Sequence, residues 1–132
     1  MLVGTDIVEI ERIHQASQRQ ARFARKILSD AEYDLYLSYP VKRQASFLAG
    51  RFSAKEAYSK ALGTGIGTWL KFSDISILPD EWGGPRLVKG PVVQGVELSI
   101  SHSREYAVAT VVIAQSRAEV KRVLELRRQS HD

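Results

Sequence analysis

Two polar side chains in "RFSAKEAYSKALGTGIG", residues 51–67, stand at a spacing that lets them act together. Glu56 and Lys60 are four apart among strong helix formers, and Gly63, Gly65 and Gly67 follow at spacing two. On a helix, residues i and i+4 meet. A carboxylate beside an ammonium is worth only a few tenths of a kcal/mol as surface decoration. It is worth more where a charged ligand approaches. Glycine after a helix ordinarily supplies a left-handed cap, which accounts for Gly63. Three in succession go beyond capping, because glycine also admits positive φ and close approach of a ligand to the backbone. The run matches neither a Walker loop nor a dinucleotide fingerprint, so by itself it is a weak phosphate signal.

Asp6 and His102 are the other candidates. Asp6 interrupts the apolar stretch "MLVGTDIVEI", where Asp is disfavoured in a strand. It either caps the helix that follows, with Glu9 at capping-box spacing, or serves as a metal ligand. His102 stands where a strand becomes a turn, with Ser101 and Ser103 beside it, a place where histidine is more often hydrogen-bonded than catalytic. Should Asp6 and Glu56 converge, two oxygen ligands completed by water and substrate phosphates is how Mg²⁺ is usually held.

The elements that must position these groups follow from periodicity. "MLVGTDI" reads as a first strand, and residues 9–28 as a helix with Ile13, Ala24, Ile27 and Leu28 on one side. "SDAE" gives Ser29 and Glu32 the spacing of a capping box, and the helix it opens ends near Tyr39 because Pro40 disfavours helical backbone before it. A third helix covers about residues 42–62. On its wheel Phe47, Leu48, Phe52, Ala54, Ala57, Tyr58, Ala61 and Leu62 spread over more than half the circumference, so it is largely buried. Ala49, Ser53, Glu56 and Lys60 occupy the remaining sector. Arg51 and Lys55 fall inside the apolar arc, where ionisable groups need partners. "FSDISIL", "ELSISH" and "YAVATVVIA" read as strands, "DEWGGP" and "KGPVVQG" as turn-rich connections, and "HSRE" as a hairpin link between the last two strands. "QSRAEVKRVLELRRQSHD" reads as a basic amphipathic helix with a frayed end. Helices first and strands later predict an α+β domain, N-terminal helices packed on a mainly antiparallel sheet.

Composition bounds the possibilities further. The 132 residues suffice for one domain with its own core, and the net charge of +4 favours an acidic partner. The absence of cysteine removes disulfides and thiolate metal sites. Neither a signal peptide nor a membrane-spanning run is present, which predicts a cytoplasmic protein. A pI near 9.5 keeps a small basic nucleic-acid-binding domain as the competing reading. Against it, the few aromatics are not interleaved with basic residues, and no nucleic-acid motif occurs.

Three blocks together resemble a known family. "GTDIVEI", "LAGRFSAKEAYSKALGTGIG" and "SISHSREYAVATVVI" are similar, in order and spacing, to the holo-acyl-carrier-protein synthases, small bacterial phosphopantetheinyl transferases of fatty-acid synthesis. The likeness covers about residues 1–114, which would form the transferase domain, with 115–132 an additional tail. It implies the 4′-phosphopantetheinyl transferase-like fold. It also implies transfer of phosphopantetheine from coenzyme A to a serine of apo-acyl carrier protein with release of 3′,5′-ADP, Mg²⁺ dependence, and a homotrimer with sites between subunits. Carried over by motif, Asp6 and Glu56 hold the metal and Lys60 lies beside the phosphates. Lys42, Arg43 and Arg51 fall in the segment that meets the nucleotide phosphates. Gly63, Thr64, Gly65, Pro85 and His102 match the pocket around the adenosine. The base that activates the serine is Glu56, Asp6 or a water on the metal. Arg12, Arg19, Arg22 and Lys26 lie within about 80° of one another on the wheel of the first helix. The resemblance makes that stripe the docking face for the acidic carrier protein. Many members carry a longer insert with a helix where this chain has only "PVVQGV".

Overall fold

The computed structural model describes residues 1–131. Strand β1 (Leu2–Glu9) leads into four helices, α1 (Ile10–Arg19), α2 (Phe23–Ile27), α3 (Asp30–Ser38) and α4 (Val41–Leu62). After a 3₁₀ turn at Phe72–Asp74 come β2 (Ser76–Pro79), β3 (Pro85–Lys89), β4 (Val96–His102), β5 (Tyr106–Ile113) and α5 (Arg117–His131). The strands form a three-stranded sheet in the order β1-β5-β4 and a hairpin of β2 with β3, all pairings antiparallel. The α+β expectation holds. No helix of the described residues is long and apolar enough to cross a membrane.

Helix α4 is the centre of the molecule, packing against β1, β5 and β4 of the sheet and against α1, α2 and α3. Leu48, Ala54, Ala57, Tyr58, Ala61 and Leu62 on it are almost wholly buried, as its wide apolar arc requires. Its capping is also as the residues dictate. Pro40 precedes its first turn, where a missing N–H costs nothing, and Gly63 closes it at φ 90°. The Ser29–Glu32 capping box forms at the start of α3, and α3 ends before Tyr39 and Pro40.

Gly4 decides how close β1 comes to α4. A Cβ there would lie 1.9 Å from the Ala57 carbonyl oxygen and 2.7 Å from the Ala61 nitrogen, so no larger residue fits. That contact lays β1 across the sector of α4 that the helical wheel leaves polar. Ala49 and Ser53, expected on the open side, are buried as a result.

Three expectations need correction. Asp6 does not cap a helix: β1 runs on to Glu9, which precedes α1 without a side-chain cap. Backbone pairing of Asp6 with Ala109 keeps the strand going where composition alone would end it. The helix expected over 9–28 is two helices, broken at an extended Gln20. The break lets α1 lie along α4 while α2 also reaches the 3₁₀ turn and α3, an arrangement no local residue signals. Finally, the strand read at "FSDISIL" begins only at Ser76, after the 3₁₀ turn, and pairs with β3, whose residues 86–88 lie between the two connections and had no reading of their own.

Candidate active site

Asp6, in mid-strand on β1, and Lys60, near the end of α4, meet across 54 residues of sequence. The Lys60 ammonium donates to Asp6 Oδ1 at 2.9 Å and to the Thr5 carbonyl at 3.2 Å. The Asp6 carboxylate is mostly covered and the Lys60 side chain is about half exposed, so the pair opens to solvent on the lysine side. Ser53 fixes the strand from beneath by donating its hydroxyl to the Asp6 carbonyl at 3.0 Å.

Glu56 completes the group from one turn earlier on α4. Its carboxyl titrates above the ordinary glutamate range, first because it is partly buried, then because the Asp6 charge opposes its own, with Lys60 pulling the other way. Lys60 thus acts on Glu56 through its charge, while its ammonium contacts Asp6. Among the described residues Lys60 is ion-paired to Asp6, because β1 places that carboxylate over the helix. The two carboxylates are thus near enough for their charges to oppose each other, with Lys60 ion-paired to Asp6. No cluster of three or more potential metal-ligating side chains occurs among the described residues. Two hard oxygen donors of like charge are a donor set that suits a divalent cation keeping part of its water, and Mg²⁺ fits it.

The remaining predicted site residues are spread along the molecule. Lys42 and Arg43 are exposed in the first turn of α4, about 20 Å from Glu56 at 1.5 Å per residue. Arg43 lies over the Tyr39 ring at 5.0 Å. His102 is exposed at the end of β4. It shares a sheet face with Asp6, but the register puts β5 between them, roughly 12 Å apart at the backbone. Pro85 begins β3 on the separate hairpin.

Arg51 joins a different group. Its Nε donates to the Ile77 carbonyl at 2.9 Å, and its guanidinium lies over the Phe47 ring at 4.4 Å. It shares a buried face with Lys55, whose ammonium gives all three protons to protein oxygens: Glu32 Oε1 at 2.6 Å, the Ile27 carbonyl at 2.7 Å and the Phe72 carbonyl at 3.0 Å. Glu32 also takes the Ser29 and Ile77 amides, at 2.7 and 2.8 Å. The partner that Lys55 and Arg51 required is thus the second residue of the capping box. Burial still holds the Lys55 ammonium below the ordinary lysine range, with Glu32 opposing that shift.

The glycine turn also behaves differently from a phosphate cradle. The amides of Gly63, Thr64 and Gly65 all point back to the Ser59 carbonyl, at 3.0, 3.1 and 3.2 Å. Those N–H groups close the helix, so a ligand beside the turn meets its outer surface. A Cβ at Gly65 or Gly67 would meet nothing within 4 Å, so that outer side is open. Arg12, Arg19, Arg22 and Lys26 are all exposed, yet they lie on two helices and the joint between them, not on one continuous stripe.

Gly4, Thr5, Ser53 and Glu32 had no part in the sequence-based site. Only Gly4 carried a signal, as a glycine inside an apolar strand marks close backbone approach.

Residues 2–111 match the family model described as the 4′-phosphopantetheinyl transferase superfamily. The chain belongs to this family. Among related transferases, the holo-[acyl-carrier-protein] synthase of Geobacillus kaustophilus (strain HTA426) is 54% identical over 111 residues, 84% of this chain and 86% of that protein. That of Bacillus subtilis (strain 168) is 50% identical over 112 residues, 84% of this chain and 93% of that protein. The crystal structure of a holo-(acyl-carrier-protein) synthase from Bacillus anthracis str. Ames in complex with CoA (3′,5′-ADP) superposes with a TM-score of 0.80. It is 43% identical and covers 87% of this chain and 96% of that one. The Helicobacter pylori holo-[acyl-carrier-protein] synthase in complex with coenzyme A gives a TM-score of 0.75 at 36% identity, covering 86% and 100%. Asp6, Glu56 and Lys60 all lie inside the stretch matched to the transferase family, and α5 lies outside it.

Proposed function

We propose that this protein is a holo-[acyl-carrier-protein] synthase of the cytoplasm, moving phosphopantetheine from coenzyme A to a serine of apo-acyl carrier protein in support of fatty-acid synthesis. The observation that carries the reading is the meeting of Asp6, Lys60 and Glu56 at an open edge between β1 and α4. A small basic nucleic-acid-binding domain, the competing reading of the composition, gives way because the chain belongs to a transferase family.

In the reaction the carrier serine hydroxyl attacks the phosphorus that bears the pantetheine arm. The bond from that phosphorus to the bridging oxygen breaks, and 3′,5′-ADP leaves with the electron pair. Such transfer is mostly positioning and charge stabilisation. Lys60, held by Asp6 and Thr5 with its ammonium toward solvent, meets the diphosphate and offsets charge on the departing ADP. Asp6 and Glu56 would hold Mg²⁺, which when bound neutralises the diphosphate charge. The proton acceptor for the serine is Glu56, Asp6 or a water that the cation would hold. Lys42 and Arg43, at the far end of α4, are available for the 3′-phosphate of an extended nucleotide. Pro85, His102 and the outer side of Gly63–Gly65 would border the adenosine.

His102 and Asp6 are separated by a strand within one chain, which supports a site shared between copies. Val3, Ile7 and Tyr106 alternate on the sheet face turned away from α4 and are exposed at 60%, 63% and 42%. A homotrimer would cover that face. Light scattering should then report about three times the 14.8 kDa chain mass. The function itself is tested by mass spectrometry of apo-acyl carrier protein incubated with coenzyme A, Mg²⁺ and this protein. A phosphopantetheine increment on the carrier is the expected result. An unmodified carrier at enzyme-like stoichiometry rejects the reading.

A further inference from the structure

Helix α5 begins beyond the residues matched to the transferase family, yet it is bolted to the centre of the molecule. Val120 is fully buried in the main core, with Val123 and Leu124 packed around it. Ser116 and Glu119 cap its start reciprocally, the Ser116 amide donating to Glu119 Oε1 at 2.9 Å and the Glu119 amide to Ser116 Oγ at 3.1 Å. The link from β5 is short and tied down, by the Ala114 amide on the Gly95 carbonyl at 2.8 Å and the Gln115 side chain on the Gln94 carbonyl at 2.9 Å. Arg127, farther along, is ion-paired to Asp74 at 3.1 Å.

The residue this frame delivers is Arg117. Its guanidinium reaches the C-terminus of α4 and donates to the Leu62 carbonyl at 2.6 Å and the Ala61 carbonyl at 3.3 Å. Carbonyls in the last turn of a helix have no intrahelical donor, and the helix dipole favours a cation there. Because Gly63, Thr64 and Gly65 all bond back to the Ser59 carbonyl, the Ala61 and Leu62 carbonyls are left for a side chain to satisfy. Arg117 also sits directly against the turn: a Cβ on Gly63 would lie 2.8 Å from its Nη1. The turn also borders a cavity of about 460 Å³ between residues 64–70 and α5, lined by Thr64, Gly65, Trp69, Lys121, Leu124 and Arg128 and not by Arg117 itself. The turn is thus braced by Arg117 at Gly63 and open to a ligand at Gly65.

We infer that Arg117 is a positioning residue for coenzyme A, setting the shape of the Gly63–Gly65 turn that borders the nucleotide, and that α5 is part of the working enzyme. The inference rests on the function proposed above. Arg117 touches neither reacting group. It acts through the end of the helix that carries Glu56 and Lys60.

The test uses the full chain with Arg117→Ala and Arg117→Lys. Removing a charge-assisted hydrogen-bonded brace is expected to raise KM for coenzyme A about 5–10-fold with kcat within about twofold. KM for the carrier protein should hold at the wild-type value. Hydrogen exchange at the Gly63, Thr64 and Gly65 amides should quicken in Arg117→Ala, and Arg117→Lys should restore part of both effects. Wild-type KM for coenzyme A in Arg117→Ala overturns the inference, whether or not the melting temperature falls, because α5 would then serve stability alone. Equal losses for both substrates overturn it as well. If the wild-type chain fails to modify the carrier at all, the proposed function fails. If the wild type transfers and Arg117→Ala matches it, only the role of Arg117 does.

Discussion

The ammonium of Lys60 on α4 lies 2.9 Å from the carboxylate of Asp6 on β1, and that ion pair joins the two elements on which the proposed chemistry depends. It binds a strand to a helix that meet only because Gly4, two residues before Asp6, has no side chain. Asp6 is thereby presented to Glu56 as a second negative charge, not to Ile10 as a cap.

Replacing either carboxylate by its amide removes a negative ligand while preserving size. Asp6→Asn and Glu56→Gln should each fold and lose most turnover, with partial recovery at high Mg²⁺. Their effects should not add, because both disable one site. Steady-state rates at limiting and excess Mg²⁺ check this. Near-wild-type activity of either variant at limiting Mg²⁺ rejects a shared cation site.

The upward shift of Glu56 has a consequence for stability with its own sign. A carboxyl that binds its proton more tightly when folded than when unfolded makes its ionised form a cost to the native state. The cost is absent below the unfolded glutamate pKa and is fully present above the raised folded value. With Mg²⁺ chelated, Glu56→Gln should therefore raise the melting temperature at pH 7 by about 1–2 °C, solvent at a partly exposed site screening the rest. At pH 3–4 the variant and the wild type should coincide. A calorimetric comparison at the two pH values checks the sign.

The buried ion pair makes a larger prediction. Lys55→Met removes the hydrogen-bonded cation from the fully buried Glu32 carboxylate and leaves it only Arg51, 4.0 Å away, so it should cost about 3–5 kcal/mol in urea unfolding. Glu32→Leu combined with Lys55→Met should cost less than the sum of the single changes, since both charges leave together. Full additivity would show that the two residues act separately.

At the joint between α1 and α2, reversal of one exposed charge should weaken use of the carrier protein alone. Arg22→Glu is expected to raise KM for acyl carrier protein about 5–20-fold at low salt and to leave coenzyme A binding near the wild-type value. The defect should shrink as ionic strength rises, because screening shortens the reach of the charges. Titration of KM against salt reads this. Equal loss for both substrates would give Arg22 a different role.

What the sequence determined by itself is what neighbouring residues decide among themselves. The Ser29–Glu32 box, the stop before Pro40, the wide apolar arc of α4 and the left-handed Gly63 are local, and each was legible before any fold was known. The strand at "YAVATVVIA" and its hairpin with "ELSISH" were equally plain, since alternation and a short link suffice. Tertiary structure decided everything that depended on what lies opposite. Glu56 and Lys60 share a helical face by spacing, yet Lys60 turns to Asp6, because an ion pair follows distance in space and the wheel of one helix cannot contain the strand laid over it. Glu32 looked like half of a capping box and is also the counter-ion of Lys55, 23 residues away. The glycines gave a weak phosphate signal beside the cap expected at Gly63, and the amides of Gly63, Thr64 and Gly65 all close the helix on the Ser59 carbonyl. Arg117 looked like one charge in a basic tail, and only the docking of α5 on the core brings it to the end of α4.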